Sequence, residues 1–257
     1  MKQKRVNSIR KKKLNKSILI SITVLAIVLA VAGACWGCGL FSFHQARENP
    51  YTYLLDFETL DLSTVPEYIG EPYVELNGNE PMFTDGDKLN PVFEYYSDLD
   101  RLGRCGVATA CLGRELMPTE PRGNIGHIRP AGWHTVKYPA LIEDIYLYNR
   151  SHLIAFSLAG ENDNRQNLIT GTRYMNHTGM LPFENMVARY LDDHDGNVLY
   201  RVTPCYVGKE LVARGVHMEA YSLADHGKSI CFNVYVYNVQ PGIEIDYLTG
   251  ESWEATE

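Results

Sequence analysis

Tyr148-Asn149-Arg150-Ser151-His152-Leu153 is followed by Asn167-Leu168-Ile169-Thr170-Gly171-Thr172-Arg173-Tyr174-Met175-Asn176, and then by Gly179-Met180-Leu181-Pro182-Phe183-Glu184-Asn185. The first run reads as a strand, the second as a turn leading into a short strand, and the third as the opening of a helix. One histidine, two asparagines and one glutamate fall within 33 positions (184 − 152 = 32 steps). Metal-assisted phosphodiester cleavage needs such a set: a base near neutral pH, oxygen donors for a hard cation, and a guanidinium for phosphate.

A histidine in a strand usually serves structure. Here Arg150 stands two residues earlier, so a straight strand puts both side chains on one face. A permanent cation beside an imidazole suits a phosphate with a base alongside it, and imidazole can take a proton from water near pH 7. Asn176 in a loop facing the first turn of a helix can share one cation with Glu184, because Mg²⁺ keeps several waters and needs only one or two protein oxygens. The structural alternatives are a turn residue and a favourable N-terminal helix charge. The amide of Asn167 is expected to orient water or a phosphate oxygen; its alternative is a turn before a strand.

Outward from this stretch, residues 1–16 hold eight basic side chains and no acid, and Ser17 to Leu40 carry no charge. An apolar run of about 20 residues can span a bilayer, with its basic flank in the cytoplasm. The expected organisation is a basic cytoplasmic tail (1–16), a transmembrane signal anchor (17–40), a linker (41–50), a catalytic domain (51–250) and a C-terminal tail (251–257). The domain then lies outside the cell, tethered to the membrane, or secreted if the apolar segment is a cleaved signal peptide.

All 31 acids follow residue 40, against 24 − 8 = 16 basic residues, so the exported part carries about −15. That excludes capture of a polyanion by bulk attraction; phosphate must be met by a local cation cluster or a metal. Cys105, Cys111, Cys205 and Cys231 allow two disulfides in three connectivities. Cys205 and Cys231 sit in separate strand-like runs that could pair across neighbours, whereas Cys105 and Cys111 need a turn between them.

Strands are expected at 72–76, 106–111, 146–156, 198–206, 211–220 and 230–239. In the last, Phe232, Val234 and Val236 alternate with Asn233, Tyr235 and Tyr237. Val207-Gly208-Lys209-Glu210 reads as a hairpin turn. A helix is expected over 180–191, with Phe183, Met186, Val187 and Tyr190 at helical spacing, Pro182 in its first turn, and Asp195-Gly196 closing it. The fold class is α+β, with a mostly antiparallel central sheet and flanking helices.

Asn149-Arg150-Ser151-His152 resembles the D-R-G-H motif of the DNA/RNA non-specific endonuclease family, the ββα-metal nucleases, and most closely its streptococcal-type DNA-entry and secreted members. Both downstream spacings agree with that subgroup: 176 − 167 = 9 and 184 − 176 = 8. The resemblance implies that His152 is the general base and that Asn176 holds a single Mg²⁺, with Mn²⁺ an acceptable substitute. It implies that Glu184 reaches the metal through water, that Arg150 steadies the charge of the transition state, and that Asn149, Arg150 and a second arginine bind substrate. Arg189 is the candidate for that second arginine. Asn149 and Ser151 stand where the motif has aspartate and glycine. The substrate implied is DNA, bound without sequence specificity, with RNA left open; the alternative reading is a DNA-binding receptor without catalysis. Asn149-Arg150-Ser151 and Asn176-His177-Thr178 also match glycosylation sequons, which the nuclease reading expects to be unused.

Overall fold

The computed structural model describes residues 60–256, all within one compact unit, Tyr53–Glu257. The expected tail (1–16), anchor (17–40) and linker (41–50) lie outside the described residues. Among the described residues, no helix is long and apolar enough to cross a membrane.

Six strands form the main sheet: β1 (Tyr73–Glu75), β2 (Phe93–Tyr96), β3 (Ala108–Leu112), β6 (Val198–Cys205), β7 (Gly215–Ser222) and β8 (Cys231–Tyr237). Their order is β1-β8-β7-β6-β3-β2, and every pairing is antiparallel. The alternation in β8 sorts its residues as read. Phe232, Val234 and Val236 join the main core with Val202, Val216 and Met218, while Tyr235 and Tyr237 turn to the opposite face against Leu62, Val65 and Val74. An outer hairpin, β9 (Ile243–Ile245) and β10 (Ser252–Glu254), continues past Gly250, so part of the expected C-terminal tail is paired.

The core is closed by α2 (Leu181–Asp193), which buries Phe183, Val187, Tyr190 and Leu191 at spacings of four, three and one, one stripe of a 3.6-residue helix. Pro182 occupies its first turn, where no N–H is required. The preceding Met175–Met180 is a π-helical turn continuous with α2, not the loop expected. This turn presses on the sheet: a Cβ at Gly179 would stand 2.3 Å from Cγ1 of Val236.

Beside the sheet lies a separate hairpin, β4 (Tyr148–His152) with β5 (Leu168–Thr172), in the register His152↔Leu168 and Arg150↔Thr170. The expected strand 146–156 is therefore too long. After His152 the chain turns into a four-residue helix, α1 (Phe156–Ala159), stopped by Gly160 in the left-handed region. Hairpin, π turn and α2 together bring the functional stretch onto one scaffold.

The expected disulfides are absent: Cys105, Cys111, Cys205 and Cys231 are all free thiols. Register explains the second pair, since Cys205 faces Gly215 and Cys231 faces Tyr221, near opposite ends of β7. Six residues of strand separate those partners, about 20 Å, far beyond disulfide reach. Cys111 lies inside β3, and the ladder reaches back to Val107, whose oxygen accepts from Ser97, so the chain makes no turn towards Cys105.

Candidate active site

A cavity of about 740 Å³ opens where the β4–β5 hairpin meets the start of α2 and the loop 122–135. From β4 come Asn149, Arg150 and His152; from the π turn, Asn176; from the first turn of α2, Glu184; from the loop, Arg122, Gly126 and Trp133. Five of the seven residues singled out in the sequence thus share one wall-to-wall space.

His152 is 6% exposed and lines the cavity. Nε2 lies 3.0 Å from the carbonyl oxygen of Asn162, and Nδ1 lies 3.4 Å from Nη2 of Arg122. A carbonyl can only accept and a guanidinium can only donate, so the proton belongs on Nε2 and the lone pair on Nδ1. Burial pushes the ring down to about 4; the Asn162 carbonyl opposes this, and the Arg122 charge adds to it. The imidazole is neutral at physiological pH.

Glu184 is the electrostatic counterpart. Burial pushes its carboxyl up to about 8, opposed only by the Arg122 guanidinium. Arg122 thus acts electrostatically on both groups. Beneath them, the hydroxyl of Tyr200 is fully enclosed without a hydrogen-bond partner and feels the same carboxylate.

Arg150 is more constrained than its strand position suggests. Its Nε donates to the Ile128 carbonyl at 2.6 Å, its Nη2 donates to Gly126 at 2.9 Å, and its guanidinium stacks 4.0 Å from the Trp133 ring centre. Two of five donors thus pin the loop, in a residue that also lines the cavity.

Two expectations need correction. Asn167 is 0% exposed and does not reach the cavity. Its Oδ1 accepts from the Ile154 N–H at 2.8 Å and its Nδ2 donates to the Ile154 oxygen at 2.9 Å, so its amide is spent on splicing the chain after β4 to the start of β5. Arg189 is on the exposed side of α2 and lines no part of the cavity. The second cavity arginine is Arg122, in Pro121-Arg122-Gly123, where no periodicity marks it. Ser151 faces away from the cavity: its side chain is fully buried over Gly171, where an added Cβ would stand 2.2 Å from the serine oxygen. The hydroxyl that replaces a glycine therefore does not obstruct the site.

Among the described residues no three His, Cys, Asp or Glu side chains gather to hold a metal. The side chains facing the cavity that can offer oxygen to a hard cation include two amides, Asn149 and Asn176, but only one carboxyl, Glu184; such a set fits an ion retaining most of its water and does not fit a fully caged one.

A family model described as DNA/RNA non-specific endonuclease matches residues 87–224. The chain belongs to that family. A deoxyribonuclease from Streptococcus dysgalactiae subsp. equisimilis is 37% identical over 110 residues, 41% of this chain. The chain spans about a third (32%) of the length of that curated relative. Among solved structures, NucA from Streptococcus agalactiae with magnesium bound superposes with a TM-score of 0.66 at 27% identity, covering 76% of this chain and 93% of that one. Its form with no metal bound gives 0.65 at 28%, covering 76% and 92%. The Sda1 nuclease with bound zinc gives 0.60 at 25%, covering 72% and 97%.

Proposed function

We propose that this chain is a membrane-anchored or secreted extracellular endonuclease that hydrolyses DNA phosphodiesters without sequence specificity and uses one Mg²⁺. The observation that carries the reading is the neutral, Nδ1-basic imidazole of His152 sharing a cavity with the Asn176 amide and the Glu184 carboxyl. The magnesium-bound NucA neighbour supports the choice of ion, while the zinc in Sda1 keeps other divalent ions in play. The uncharged run Ser17–Leu40 behind a basic flank supports the anchor.

In this reading Asn176 would hold the cation and Glu184 would reach it through water, and the ion would supply positive charge to a phosphate under attack. His152 takes the proton of the attacking water on Nδ1. Its contact with Arg122 is long for a hydrogen bond, so the lone pair is readily yielded to water. The Asn162 carbonyl holds the Nε2 proton and stabilises the imidazolium as it forms. Arg122 carries the developing charge on a non-bridging oxygen, and Arg150 fixes the Gly126–Ile128 loop as the cavity's rim. Contacts of this kind are to the backbone and read no sequence. A base contributes about 10²–10⁴-fold to such a step. The test is loss of plasmid DNA on a gel with Mg²⁺, blocked by chelator; a receptor without catalysis would bind DNA and leave it intact.

A further inference from the structure

The domain's negative charge is unevenly met. Of the eleven arginines among the described residues, Arg104, Arg114, Arg173, Arg201 and Arg214 each reach a carboxylate within 4.0 Å. Six do not, and four of those six (Arg122, Arg129, Arg150 and Arg165) line the catalytic cavity or a second cavity beside it. Guanidiniums kept together without an ion-pair partner repel one another, as Arg129 and Arg150 do, and a polyanion bound there would relieve that repulsion.

The second cavity, about 360 Å³, is lined by His127, Ile128, Arg129, Asp163 and Arg165. Its wall continues that of the first through consecutive residues, Gly126 on one side and His127 to Arg129 on the other. Arg150 clasps the carbonyls of Gly126 and Ile128, so the partition is held in place. The fields of the two cavities overlap, since Arg129 disfavours the charge on Arg150. The single carboxylate in the second cavity, Asp163, sits 3.9 Å from the His127 ring, and both side chains are well exposed. Neither arginine has it within ion-pair distance. Arg129 bonds the carbonyls of Gly126 and Ile128 through one Nη only, and Arg165 has its side chain exposed.

We propose that the Arg129–Arg165 cavity is a second phosphate subsite, which binds the nucleic-acid backbone flanking the scissile phosphodiester, so that the enzyme grips a polymer at two places. This rests on the nuclease reading and adds to it a preference for polymers over short fragments. Because both guanidiniums would contact phosphate and not base edges, the subsite adds affinity and no base preference.

The test is the salt dependence of binding, measured on the full-length protein in detergent and chelator by fluorescence anisotropy of a labelled duplex oligonucleotide. Each phosphate contact contributes about 0.9 to the slope of log K against log salt, so Arg129→Gln with Arg165→Gln should make that slope shallower by about 1.8. Equivalently, between 50 and 200 mM salt the wild type should lose about tenfold more affinity than the double variant. Arg165→Gln alone, whose side chain makes no hydrogen bond or ion pair among the described residues, should give about half the slope change and guards against misfolding of the double variant. Arg101→Gln with Lys209→Gln, exposed positions lining neither cavity, removes the same charge and should leave the slope unchanged. A wild-type slope in the Arg129/Arg165 variants, or an equal change in the Arg101/Lys209 variant, would overturn the subsite. If the wild type cleaves DNA with Mg²⁺ but the slopes coincide, only the subsite fails; if it neither cleaves nor binds, the nuclease reading fails with it.

Discussion

Nδ1 of His152 faces Nη2 of Arg122 at 3.4 Å while the opposite ring nitrogen is bonded to the backbone of Asn162. One cation therefore faces the lone pair, and one carbonyl fixes where the proton resides. The ring is held as a neutral base, with its open nitrogen turned towards the charge that a phosphate would neutralise.

This arrangement has a signature in stability. The folded ring titrates near 4 and an unfolded histidine near 6.5, so between those values the unfolded chain binds the extra proton. Stability from this residue is present above pH 6.5 and is lost as pH falls towards 4, by roughly 3 kcal/mol for a shift of this size. Urea unfolding at pH 7 and pH 4 should show the wild type losing more than His152→Gln does. Parallel losses would mean that the ring is not held neutral.

Glu184 has the opposite sign. Its folded carboxyl is raised to about 8, so the stability it contributes is complete below about 4.5 and declines as pH rises through 8. In chelator at pH 9, Glu184→Gln should be more stable than wild type by roughly 1–3 kcal/mol. Added Mg²⁺ should raise the wild-type Tm, more at pH 8.5 than at pH 6 because the proton must leave, and should barely move the variant. Equal Mg²⁺ stabilisation of both proteins would remove Glu184 from the metal site.

Asn167 separates architecture from chemistry. Asn167→Ala breaks two buried hydrogen bonds to Ile154 and leaves both backbone groups unpaired, a loss of about 2–4 kcal/mol in chemical unfolding. The remaining folded protein should keep most of its turnover at low temperature. A collapse of turnover with unchanged stability would return Asn167 to the reacting groups.

How much of this was legible in the sequence follows from the range of the forces involved. The β8 alternation and the α2 stripe record burial in local periodicity, and both elements form where expected. That His152, Asn176 and Glu184 could line one cavity was legible because strand, turn and helix carry them in fixed order. Arg122 was not, since a Pro-Arg-Gly loop has no period and its meeting with His152 spans 30 residues. Asn167 misled for a related reason: its amide is consumed by a backbone segment that only the tertiary fold brings near. The cysteines misled because strand order, and not strand membership, decides which ends of a sheet meet.

Gly171 and Ser151 form a coupled pair. The serine oxygen is buried without a partner, and an alanine Cβ at 171 would stand 2.2 Å from it and 2.5 Å from Cε of Met175. Gly171→Ala should cost about 1–3 kcal/mol by overpacking, while Ser151→Gly should relieve part of that cost in the double variant. Additive effects in a thermal-unfolding cycle would refute the coupling.

The central claim, that the imidazole of His152 accepts the proton of the attacking water, is tested most directly by single-turnover cleavage of duplex DNA under saturating Mg²⁺. Replacing His152 with alanine should slow that step by about 10²–10⁴-fold with DNA binding in chelator unchanged. Cleavage at the wild-type rate by His152→Ala would contradict the account.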